Sequence, residues 1–124
     1  MILKNIAILV VDDEPELREI ISEEFTDEGA LVTLAENGAK AFELLKKNKY
    51  EVVFSDLRMP GGGGLELLKN IKTRLHYQPI IFLCSGFSEM TEQESLQLGL
   101  VEVISKPFNL KKITKIIAGS LRAA

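Results

Sequence analysis

Five apolar, β-branched runs alternate with five amphipathic stretches, and this alternation predicts an α/β fold with a doubly wound, five-stranded parallel sheet and helices on both faces. The connections are short, so each strand-to-strand crossover contains a helix and is right-handed. No break in composition interrupts the pattern, so residues 1–124 read as one domain.

The elements follow in order. IAILVV, residues 6–11, is a continuous apolar run of strand length, the pattern of a strand buried on both faces. Leu17, Ile20, Ile21 and Phe25 share a helical face, with Pro15 suited to the first turn and Gly29 to the stop. LVTLA, residues 31–35, is a weaker strand, and Ala41, Leu44 and Leu45 form the second helical stripe. VVF, residues 52–54, is the third strand, followed by a stripe of Leu65, Leu68, Ile71 and Leu75. PIIFLC, residues 79–84, is the fourth strand. A fourth helix is expected over residues 88–98, where Thr91 to Glu94 fit a capping box and Gly99 a stop; its polar residues predict an exposed helix. LVEVI, residues 100–104, is a weaker fifth strand, and Leu110, Ile113, Ile117 and Leu121 give the last helix its apolar stripe.

Composition narrows the function. A chain of 124 residues can bury about two thirds of its unfolded surface without a staple. The single cysteine allows no internal disulfide, so a cytoplasmic setting is expected. A net charge of −3 argues against bulk electrostatic binding of nucleic acid. The first apolar run ends in acid rather than in small cleavage-site residues, against a signal peptide. No apolar stretch approaches the roughly 20 residues of a membrane span, so no membrane insertion is expected. Lys111, Lys112, Lys115 and Arg122 near the end read as a solvated face at a helix C-terminus.

In a doubly wound sheet, ligands bind beyond the C-terminal ends of the strands, where strand order reverses. Asp12 and Asp13 end the first predicted strand, Asp56 follows the third, Ser85 the fourth and Lys106 the fifth. Singly, Asp12 or Asp13 also suits a helix N-cap before Pro15, and the others suit ordinary surface roles. Together they place three carboxylates, a hydroxyl and an ammonium on one rim. Three crowded carboxylates need positive charge, and oxygen-only ligands favour a hard divalent cation such as Mg²⁺. The metal and Lys106 then balance the carboxylates. A near-neutral site of this kind can receive a phosphoryl group, with one carboxylate as nucleophile and Ser85 as hydrogen-bond donor.

ILVVDDEPELRE, AENGAKAFELL, FSDLRMPGGGGLELL, PIIFLCSG and ISKPF, with the acidic pair, D-x-x-M-P-x-x-x-G and the lysine-proline pair at these intervals, resemble the response regulator receiver domains of two-component signalling. The resemblance covers essentially the whole chain and implies the CheY-like, flavodoxin-like fold. It further implies that Asp56 is the phosphoacceptor, taking its phosphoryl group from a phosphohistidine. Asp12, Asp13, Asp56 and the backbone carbonyl of Arg58 would hold Mg²⁺, Ser85 would be the switch hydroxyl, Lys106 would pair with the phosphoryl oxygens, and the bond before Pro107 is commonly cis. The implied partners are a histidine kinase or histidine phosphotransfer protein and a downstream protein. Output would pass through the face formed by the fourth predicted helix, fifth strand and fifth predicted helix, self-association through that face included. No effector domain is expected within this chain, and no catalysis beyond its own phosphorylation and dephosphorylation.

Departures from the family pattern are specific. Val103 stands where the family often has an aromatic ring, and Arg58 and Phe87 flank the pocket at positions that tune water access to the acyl phosphate. Gly61 to Gly64 include one expected glycine, Gly64, while Gly62 and Gly63 replace a large apolar residue and a helix-capping one. Two other functions fit the architecture. A metal-dependent phosphohydrolase with an aspartate nucleophile is the alternative, though the acidic pair is adjacent rather than spaced and no cap encloses a substrate. A mononucleotide binder would need a glycine- or hydroxyl-rich loop where Asp12-Asp13-Glu14 stands.

Overall fold

The computed structural model describes residues 1–57, 59, 63–85, 102–105 and 109–123. Five parallel strands, β1 (Ala7–Val11), β2 (Leu31–Ala35), β3 (Val52–Asp56), β4 (Ile80–Ser85) and β5 (Glu102–Ser105), form one sheet in the order β2-β1-β3-β4-β5. Among the described residues the helices are α1 (Pro15–Asp27), α2 (Gly38–Lys47), α3 (Gly64–Arg74) and α4 (Leu110–Ala123), the last corresponding to the fifth predicted helix. The helix expected over 88–98 lies outside the described residues, as do the first two residues of the predicted fifth strand.

Strand residues alternate between two cores, as the two-residue period requires. Leu9, Val11, Val53, Ile81 and Leu83 face α2 and α3, packing with Leu45, Leu68 and Ile71. Ile8, Val10, Val52, Phe54 and Phe82 face α1 and α4, packing with Ile21, Phe25, Ile113 and Ile117. Phe25 and Phe54 meet edge to face at 5.5 Å. Every residue of β3, the middle strand, is buried. β2 is an edge strand, and Leu31 and Leu34 remain 59% and 42% exposed, which explains its weaker apolar signal.

Three expectations shift. β3 extends through Ser55 and Asp56, two residues past the apolar run, because the ladder continues through Ser55↔Leu83 and Asp56↔Cys84. Ile20 is 53% exposed. The buried face of α1 is set by Ile21 and Phe25 with half-buried Leu17, spaced four apart, and Ile20 turns about 100° from that line. Lys111 and Lys112 stand in the first turn of α4, not at a helix C-terminus; only Arg122 occupies the last turn. That placement is unfavourable to the helix dipole. Local partners offset it: Lys111 Nζ lies 3.2 Å from Glu24 Oε1 of α1, and Asn109 Oδ1 accepts from the N–H groups of Lys111 and Lys112.

The helix stops obey local chemistry. Gly29 follows α1 at φ +93°, a left-handed conformation that favours glycine. Asn37 caps α2, its Oδ1 accepting from Lys40 N–H at 2.9 Å. At the N-terminal end of the strands, the Tyr77 hydroxyl accepts from Tyr50 N–H and donates to Asn48 O at 2.8 Å, tying two connections together. Burial holds the Tyr77 phenol above its usual range. Cys84 is buried and in no disulfide, and His76 is exposed.

Candidate functional site

The chain leaves β1 for β2 on one side and returns to β3 on the other, so the loops after β1 and β3 diverge and leave a crevice at the strand ends. Asp12 and Asp13 enter it from β1, and Asp56 from β3. Their ligand-capable oxygens lie within 4.8 Å of one another. Asp12 and Asp56 are 3% and 7% exposed, while Asp13 is open to solvent.

The β1–α1 turn is held by polar contacts. Asp12 N–H donates to Ala35 O at 3.1 Å, extending the β1–β2 ladder by one bond. Glu14 N–H donates to Asp12 Oδ1 at 2.8 Å, a two-residue side-chain turn. Arg18 Nη1 donates to Asp12 O at 2.6 Å. Neither aspartate is the helix N-cap: that residue is Glu14, which makes no side-chain capping bond and is followed by Pro15 in the first turn. Asp12 orders the turn ahead of the helix, so both aspartates stay at the strand end.

The β3–α3 connection is built differently. Ser55, fully buried, donates its hydroxyl to Asp56 O at 2.9 Å, and Leu57 N–H donates to Cys84 O. Gly64 N–H donates to Leu57 O at 2.8 Å, folding the start of α3 back over the C-terminal end of β3. A Cβ on Gly64 would lie 2.5 Å from Asp56 O and 3.0 Å from Leu57 Cα. Glycine is required here by close approach. Gly63 is the N-cap of α3 at φ −81°, with no side-chain capping bond, in line with the expected loss of a cap.

Ser85 ends β4 opposite Ser105 of β5, and Val103 sits within β5 opposite Leu83. Asp12, Asp13, Asp56 and Ser85 are therefore all delivered to the same edge of the sheet. Arg58, Gly61, Gly62, the segment 86–98 with Phe87, Lys106 and Pro107 lie outside the described residues.

Three carboxylates this close repel one another in the metal-free chain, and an all-oxygen donor set with two buried members fits a hard divalent cation. The residues that sequence reasoning missed are the supports. Arg18 follows Asp12 by six positions, a spacing with no periodic signal, and Asn37 was hidden in a connection read only for its helix. Asn109 and Tyr77 likewise gained meaning only through contacts distant in sequence or at a helix start.

The fold and crevice define a doubly wound α/β domain that carries its chemistry on carboxylates at the switch point. The family model described as the response regulator receiver domain matches residues 8–118, and the chain belongs to that family. It is 30% identical over 114 residues to the response regulator protein PilR of Pseudomonas aeruginosa, covering 92% of this chain and 26% of that protein. It is 32% identical over 110 residues to the DNA-binding transcriptional regulator NtrC of Escherichia coli K12, covering 89% of this chain and 24% of that protein. The chain thus spans about a quarter of the length of these curated relatives. The crystal structure of the receiver domain of NtrX from Brucella abortus superposes with a TM-score of 0.84 at 28% identity, covering 94% of this chain and 99% of that one.

A receiver domain is the phosphoacceptor switch of two-component signalling, and this chain is such a switch. Among the described residues no helix is long and apolar enough to cross a membrane.

Proposed function

We propose that Asp56 is the phosphoacceptor and that residues 1–124 act as one receiver domain in the cytoplasm. The observation that carries this reading is the convergence of Asp12, Asp13 and Asp56 within 4.8 Å at the switch point, with Asp56 fixed at the end of the central strand. A carboxylate oxygen of Asp56 attacks the phosphorus of a phosphohistidine; the new O–P bond forms as the P–N bond breaks, and the imidazole leaves with the electron pair. Asp12, Asp13, Asp56 and the Arg58 carbonyl would hold Mg²⁺, which when bound supplies positive charge against the phosphoryl oxygens. Ser85 and Lys106 contribute a hydroxyl donor and an ammonium to those oxygens. The buried backbone around Asp56 keeps the nucleophile in one place, so the reaction needs little reorganisation. Loss of the group by attack of water makes the domain self-resetting without a separate substrate.

The donor would be a histidine kinase or histidine phosphotransfer protein. Output passes to a protein partner or a second copy through the face of the fourth predicted helix, β5 and α4, rather than to nucleic acid or membrane directly. Incubation with Mg²⁺ and acetyl phosphate, followed by intact-mass measurement, tests the assignment. One phosphoryl adduct is expected on the wild type and none on Asp56→Ala; an equal adduct on the variant would overturn it.

A further inference from the structure

We propose that Arg18 is a positioning residue for the acidic crevice, setting its affinity for a divalent cation by fixing the Asp12-Asp13 turn. The inference rests on the reading of Asp12, Asp13 and Asp56 as a cation site. Arg18 sits one helical turn into α1, its N–H bonded to Glu14 O at 3.0 Å, and its half-buried guanidinium reaches back to Asp12 O at 2.6 Å. Asp12 is 3% exposed, so this bond is formed largely out of water. It is charged and short, the kind of hydrogen bond that holds a backbone group most firmly.

Asp12 is held at its N–H by Ala35 O, at its carbonyl by Arg18 and at its Oδ1 by Glu14 N–H. Asp13 lies between two of the pinned residues, so the exposed carboxylate inherits its place from them. A cation site depends on such outer contacts, whose loss commonly weakens metal binding about 10- to 100-fold. Charge acts with the opposite sign. A guanidinium beside the turn repels a cation, so an Arg18 that mattered only through charge would weaken binding, and its removal would tighten it.

The sign of the change therefore separates the two roles. Mn²⁺ affinity, read by electron paramagnetic resonance at fixed ionic strength, is measured for wild type, Arg18→Met, Arg18→Lys and Asp13→Asn, with metal-free thermal melts as the check on folding. Arg18→Met, which keeps the apolar stem, should bind Mn²⁺ about tenfold or more weakly, with Arg18→Lys in between. Equal or tighter binding by Arg18→Met would overturn the proposal. Should Arg18→Met not fold, Arg18→Lys decides: weaker binding than wild type supports the role and equal binding overturns it. If Asp13→Asn weakens binding while Arg18→Met does not, only the role of Arg18 falls; if wild type and Asp13→Asn bind alike, the cation site falls and this proposal with it.

Discussion

The two connections that meet at the acidic crevice are held in opposite ways. The β1–α1 turn is fixed by what its side chains do: Asp12 accepts from Glu14 N–H through its carboxylate and from Arg18 through its carbonyl. The β3–α3 connection is fixed by what is missing, since Gly64 lets the start of α3 rest on Asp56 O and Leu57 Cα, and Gly63 starts the helix without a side-chain cap. A polar turn fails by losing a partner. A glycine turn fails by gaining an atom.

The largest effect should come from adding that atom. Gly64→Ala forces a Cβ against backbone that has no rotamer with which to yield, and should cost about 3 kcal/mol, the upper end of overpacking penalties, with slower phosphorylation because Asp56 moves with its carbonyl. Denaturant melts and acetyl phosphate labelling check both effects. A stable, fully active Gly64→Ala would mean that the helix start is free to lift.

An intermediate effect separates charge from hydrogen bonding on the polar side. Asp12→Asn and Asp12→Ala both remove a repelling charge, but only Asn keeps an oxygen for Glu14 N–H. The metal-free alanine variant should be less stable than the asparagine variant by about 1 kcal/mol. Equal stabilities would show that the Asp12 Oδ1 bond does not hold the turn. The smallest effect should be a gain: Gly63→Ser, at an ordinary extended φ of −81°, adds a capping hydroxyl and reduces unfolded-state freedom, raising stability by about 0.5–1 kcal/mol. A loss would mean that the connection depends on glycine at both positions.

Much of this was legible in the sequence because the signals were local. Continuous apolar runs marked β1, β3 and β4, and acids within two residues of the ends of the first two marked the crevice. β2 matched LVTLA to the residue even though its edge position left two leucines exposed. Contacts between distant segments were not legible. Ser55 and Asp56 look like the end of a strand until the register with Leu83 and Cys84 carries β3 through them. Ile20 looks like core until the four-residue spacing of Leu17, Ile21 and Phe25 decides which face of α1 is buried. Lys111 looks like a C-terminal cation until Glu24, far away in sequence, appears beside it at the start of α4. Gly64 was singled out correctly among four glycines, yet only the backbone distances distinguish close approach from positive φ as its reason.

The central claim is that the phosphoryl group resides on Asp56. Borohydride reduction of the acetyl phosphate-treated protein, which converts an aspartyl phosphate to homoserine, followed by peptide sequencing by mass spectrometry, locates it directly. The account predicts homoserine at position 56 and aspartate at positions 12 and 13; homoserine at either of those positions, with aspartate at 56, would contradict it.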